Sequence, residues 1–188
     1  MEKKQSLLKN KKILVYFLGG MIIFLMVGSL LSLWAFKGEN GNTEVNAYEY
    51  NGYKFLKANN GFILSINNKD IGFNYLPNEL EGINNDDFNF LNNKYYVIFN
   101  PEELNEGSYE INRIRGILNY FNILGAPACD KEEKCSDIPV KDCSVDAVYI
   151  KKGENKIYKD NKCIVLSYNE DSAKIVDLFF YKALGVMK

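Results

Sequence analysis

The residues best suited to chemistry in this chain are its four cysteines, Cys129, Cys135, Cys143 and Cys163, separated by five, seven and nineteen intervening residues. An even number of thiols in an oxidising compartment implies disulfides. Three pairings are open to four cysteines. Cys129–Cys135 with Cys143–Cys163 is the preferred set, because the first pair brackets an acidic turn and the second can staple a loop to a strand. In a chain-entropy picture the short loop contributes ~2 kcal/mol and the long one ~3 kcal/mol. A zinc ribbon fits poorly, since no C-x-x-C occurs and the chain has no His. A thioredoxin-like role lacks its vicinal pair as well. Without His there is also no Ser–His or Cys–His catalysis and no histidine pH switch.

The carboxylates offer less. Asn84-Asn85-Asp86-Asp87 supplies oxygen ligands without the spacing or distal Glu of a calcium loop, and is expected as a solvated turn. Asp130, Glu132 and Glu133 are expected at the exposed tip of the Cys129–Cys135 loop. No Walker loop, dinucleotide glycine pattern or nucleophile elbow is present. No catalytic, cofactor-binding or metal residue is therefore assigned, and no cofactor is expected. With 23 Lys+Arg against 24 Asp+Glu the net charge is −1, which excludes a generally basic nucleic-acid binder. The 13 Tyr and 12 Phe could build a binding surface, but a general Asn/Lys/Ile/Tyr/Phe bias accounts for them equally well.

Disulfides need a compartment, and the N-terminus supplies one. Residues 13–36, ILVYFLGGMIIFLMVGSLLSLWAF, contain no charge. At about 1.5 Å per residue they form ~36 Å of helix, enough to span a hydrocarbon core of roughly 30 Å. Trp34 suits the distal interface. The first twelve residues carry five Lys against Glu2 alone, so positive charge holds this tail in the cytoplasm and the rest lies outside. A cleaved signal peptide is the alternative; its apolar region would be shorter and end in small residues, unlike Leu33-Trp34-Ala35-Phe36. Gly28 and Ser32 form a small-xxx-small pair that could pack two such helices together. The organisation expected is a basic tail over 1–12, a transmembrane helix over 13–36, a linker over 37–47 and one extracytoplasmic domain over 48–188.

Within that domain, residues 48–76 alternate aromatic and polar positions between turn signals at Asn51-Gly52, Asn60-Gly61 and Asn67–Asp70. An antiparallel meander ended by Pro77 follows. Lys94–Phe99 is a strand, and Asn100-Pro101-Glu102-Glu103 reads as a helix start. A longer helix restarts at Ser108, with Ile111, Ile114, Ile117, Leu118, Phe121 and Leu124 buried, and ends at Gly125 and Pro127. Val145–Ile150 and Lys156–Tyr168 give further strands, with Cys163–Leu166 apolar enough to be central. Asn169 caps a last helix over 170–184, whose buried face is Ile175, Val176, Phe179, Phe180 and Ala183. The fold class expected is α+β: one N-terminal transmembrane helix, then an antiparallel sheet with two main helices packed on it.

The succession YEYNGYKF, FNYLPNEL, YYVIFNPEEL, CSDIPVKDC and CIVLSYNEDSAKIVDLFFYKALGVM resembles a group of uncharacterised archaeal-type proteins with a single membrane anchor. The resemblance covers most of the outer domain. Its motifs are strands, a capped helix start and cysteines, so it implies no activity and no site residue.

The expected function is that of a membrane-anchored extracytoplasmic domain that binds or organises something in the envelope. Its partners would be the lipid bilayer, through residues 13–36, and a membrane or envelope protein, with no nucleic acid. The competing expectation is an outer-surface hydrolase using carboxylates or a Ser/Lys pair.

Overall fold

A computed structural model describes residues 47–135 and 137–188. Among these, no helix is long and apolar enough to cross a membrane; the 13–36 segment, with Gly28 and Ser32, lies outside the described residues.

The chain begins with four strands, β1 (Ala47–Tyr50), β2 (Tyr53–Ala58), β3 (Gly61–Ile66) and β4 (Lys69–Phe73), paired in sequence order and all antiparallel. This is the expected meander. Each hairpin turns on two residues, and the Asn-rich turns suit the positive φ such turns demand: Asn51 at 47° with Gly52 at 81°, and Asn67 and Asn68 at 52° and 60°. The second turn is Asn59-Asn60 rather than Asn60-Gly61. Gly61 instead opens β3 at φ 132°, where a Cβ would stand 2.1 Å from the Phe73 carbonyl oxygen. Only glycine lets β4 come this close.

The rest of the chain builds a second, mixed sheet. It contains β5 (Asn84–Asn85), β6 (Lys94–Phe99), β7 (Leu124–Cys129), β8 (Ala147–Lys152), β9 (Lys156–Asp160) and β10 (Cys163–Tyr168), in the order β5-β9-β10-β8-β6-β7. Strands β7, β6, β8 and β10 run parallel, and β9 joins β10 antiparallel through a tight hairpin at Asn161-Lys162. Cys163–Leu166 does hold a central position, and every residue of β10 is buried.

Helix α1 (Tyr109–Tyr120) links the parallel strands β6 and β7, and helix α2 (Ser172–Ala183) follows β10. The two helices thus pack on the mixed sheet, α1 over β6 and β7 and α2 over β9 and β10. Where a helix was expected at Asn100, a single turn forms, with the Glu102 amide donating to Asn100 Oδ1 at 2.9 Å. The cap of α2 is Asp171, which accepts from the Ala173 amide at 2.9 Å, not Asn169. Gly125 and Pro127, expected to end α1, instead lie in β7, with Leu124 exposed at its start. A proline is compatible with β7 because this is an edge strand, so no second neighbour needs its missing amide.

The meander closes over the helices from the other side. Phe73 stacks on Tyr181 with ring centroids 4.1 Å apart, and Phe55 meets the same ring edge-on at 5.8 Å. Helix α2 is therefore enclosed by both sheets, and Ile175 to Tyr181 are buried without interruption. One polar group sits in that contact. The Asp177 carboxylate is fully buried, accepts from the amides of Asn74 and Tyr75 at 2.7 and 3.1 Å, and lies 3.6 Å from Arg113 of α1. The guanidinium of Arg113 in turn covers Phe73 and Phe180 and donates to the Gly72 carbonyl. Burial raises the Asp177 pKa to about 6, against the opposing pull of the two amides and Arg113.

Candidate functional site

Side chains alternate across a strand, so residues two apart share a face. On the mixed sheet one face carries Tyr95, Val97, Phe99, Val148, Ile150, Ile164 and Leu166 into the helices. The opposite face carries Ile98, Ala128, Ala147, Cys163 and Val165 in a thin apolar layer, covered by Tyr96, Tyr149 and Tyr158. No helix among the described residues packs there.

Lysines complete that outer face by the same alternation. Lys94 precedes Tyr96 by two residues on β6, Lys151 follows Tyr149 by two on β8, and Lys156 precedes Tyr158 by two on β9. Each ammonium lies over a ring. Lys94 is 4.9 Å from the Tyr96 centroid, Lys151 is 5.2 Å from that of Tyr149, and Lys156 is 5.1 Å from that of Tyr158. Lys151 also reaches Tyr158 at 5.9 Å, bridging two strands. Lys141, from the segment joining β7 to β8, covers Tyr96 at 5.4 Å. The attraction is that of a cation for the negative face of the ring.

Three of these cations have no ion pair among the described residues, although Asp130 and Asp160 share this face and Asp142 feels the charge of the adjacent Lys141. Lys156 faces Glu154 at 3.6 Å, a contact weakened by the exposure of both groups. Asp142 turns into its own loop, accepting from the Ser144 amide at 3.0 Å. Asp130 accepts the Tyr149 hydroxyl at 2.8 Å, so it belongs to this face and is not at the tip of its loop. Burial, then this carboxylate, push the Tyr149 phenol well above its ordinary pKa, and it serves as a donor throughout the physiological range. Lys94, Lys141 and Lys151 make no ion pair among the described residues.

Both preferred cysteine pairs form. Cys129–Cys135 spans 6.3 Å between Cα atoms at the end of β7. Cys143–Cys163, at 5.0 Å, ties the β7–β8 connection to β10 beneath the outer face. That connection is also held by the Lys162 amide, which donates to the Cys143 carbonyl at 3.1 Å. Asn84 and Asn85 form β5 instead of a free turn, and Asp87 pairs with Lys182 at 3.0 Å. No group of three or more Cys, Asp and Glu among the described residues is placed to hold a metal.

A second feature is a cavity of about 180 Å³ at the carboxyl ends of β6 and β7. Its lining includes Glu106, Lys134, Asp137 and the Cys129–Cys135 bridge.

The tyrosine–lysine face was not singled out from the sequence, yet a signal exists. K-x-Y at 94–96, Y-x-K at 149–151 and K-x-Y at 156–158 place unlike residues two apart in three separate strands. Comparison of the chain with protein-family models, with curated proteins and with solved structures finds no match.

Proposed function

We propose that this protein is a membrane-anchored binding module that displays its α+β domain outside the cell. Residues 13–36 would span the bilayer, with the basic tail cytoplasmic. The tyrosine–lysine face would be the contact surface for an envelope partner. The observation that carries the binding role is the array of lysines lying over tyrosine rings on a sheet face that no helix among the described residues covers. Two paired disulfides support an oxidising surrounding.

The placement is tested by labelling intact cells with a membrane-impermeant thiol reagent before and after reduction. Labelling only after reduction is expected. Free thiols that react only after lysis would overturn the outward placement, and protection of the domain from protease added to whole cells would do the same.

The hydrolase reading has one observation in its favour, the cavity that brings Glu106, Asp137 and Lys134 around the ends of two parallel strands, where α/β folds bind ligands. Glu106→Gln and Asp137→Asn decide it: loss of a hydrolytic activity on envelope extracts, with the fold intact, would favour hydrolysis over binding.

A further inference from the structure

Resting on the reading of an outward binding module, the geometry points to a linear acidic polysaccharide as the ligand of the tyrosine–lysine face. The face is flat and open, so a small molecule would find no enclosing walls. A single exposed ammonium–carboxylate contact is weak in salt, too little to hold one acidic sugar. A polymer with a carboxylate on each repeat can engage several ammonium groups at once, and the linkage multiplies their weak contacts.

The lysines are unusually ready for this. A free lysine side chain loses rotamer freedom when it binds, and a ring beneath each of Lys94, Lys141, Lys151 and Lys156 narrows that freedom beforehand. None of the first three makes an ion pair among the described residues. Between the cations, the half-buried rings of Tyr96, Tyr149 and Tyr158 offer rigid surfaces with a polar edge, which suit the mixed C–H and hydroxyl faces of sugars. Strands stand about 4.8 Å apart, so the charged positions on β6, β8 and β9 spread across the sheet as a track, not a point.

An anionic lipid surface would satisfy the same charges. It is the less favoured occupant because it offers charge without the C–H faces that the half-buried rings of Tyr96, Tyr149 and Tyr158 would stack against.

The test uses the full chain in nanodiscs of phosphatidylcholine. Binding is measured to polygalacturonate, to neutral dextran and to vesicles containing phosphatidylglycerol. Polygalacturonate is expected to bind, weakening severalfold between 50 and 300 mM salt, while dextran does not. The triple variant Lys94→Gln, Lys141→Gln, Lys151→Gln should bind at least tenfold more weakly. The corresponding Lys→Arg triple should stay within about threefold, as should Lys54→Gln with Lys57→Gln on the meander. Absence of polygalacturonate binding, indifference to the Gln triple, or tighter binding to the anionic vesicles would each overturn the assignment. Such a failure beside outward thiol labelling rejects only this ligand; inward labelling rejects the module reading whatever the polymer does.

Discussion

The two sheets of this domain are cut from similar material, aromatic and β-branched residues between Asn- and Gly-rich turns, yet they are held by opposite means. The meander is sequence-local: every strand pairs with its immediate predecessor through a two-residue turn. What joins it to the rest is side chains alone: Phe55, Leu64, Ile71 and Phe73 in the shared core, the Asn51–Val186 and Asn74–Tyr109 hydrogen bonds, and the Asp177–Arg113 contact behind Phe73. The mixed sheet is the reverse. Apart from the β9–β10 hairpin its pairings reach across helices and long connections, and two disulfides reinforce it. Local order therefore builds one layer and long-range order the other, and the helix between them carries the coupling.

Breaking that coupling should have the largest effect. Asp177→Ala leaves the Asn74 and Tyr75 amides without their acceptor and the partly buried Arg113 guanidinium without its counter-charge, and should cost about 3–5 kcal/mol in urea unfolding. The meander should lose amide-exchange protection before the mixed sheet. Equal loss in both sheets would mean that they do not differ in attachment.

Breaking the long-range layer comes next. Cys143→Ser with Cys163→Ser should cost about 3 kcal/mol, and Cys129→Ser with Cys135→Ser about 2 kcal/mol. The same denaturant curves check both, and the order of the two pairs is the sharper claim. Titration of Asp177 sharpens the coupling itself. Its pKa is raised when folded, so its contribution to stability is complete below the ordinary carboxylate range and is lost as pH rises through about 6. The slope should approach about 1.4 kcal/mol per pH unit between roughly 4 and 6. Wild type minus Asp177→Asn, compared at each pH, should show that slope; a flat difference would count against burial as the dominant influence.

Gly61→Ala tests the local layer. A methyl group against the Phe73 carbonyl should cost about 2 kcal/mol and free the β3–β4 pair to exchange. The smallest effect is expected on the outer face of the mixed sheet, where Tyr149→Phe removes one hydrogen bond to the Asp130 carboxylate, about 1.5 kcal/mol. A loss as large as that from Asp177→Ala would show the outer face to be as structurally committed as the inner one.

What could be seen in the sequence divides along the same line. The meander was visible because its information is short-range: alternation of period two and Asn-rich turns at the right intervals. The preferred cysteine pairs were visible for a related reason, since each closes a loop of modest length. Strand β7 was hidden, because Gly125-Ala126-Pro127 carries every sign of a helix stop. Only its position at a sheet edge, a tertiary fact, makes that proline tolerable. The parallel order β7-β6-β8-β10 was equally invisible, since nothing local distinguishes a parallel neighbour from an antiparallel one. The candidate site lay between these extremes. Its three lysine–tyrosine alternations are written in the chain, but their convergence on one face depends on strand order.

Strand β10 occupies the slot between β8 and β9, although both precede it in the chain. Before it arrives, the two flanking strands present facing rows of bare amides and carbonyls to whatever extended segment drifts by, including one from another molecule. A keystone that comes last makes assembly vulnerable wherever newly made chains are crowded. The Cys143–Cys163 bond, linking the start of that keystone to the approach of β8, would then guard against exchange between neighbours. Reduced chains should clump on refolding well before they lose the ability to fold when dilute.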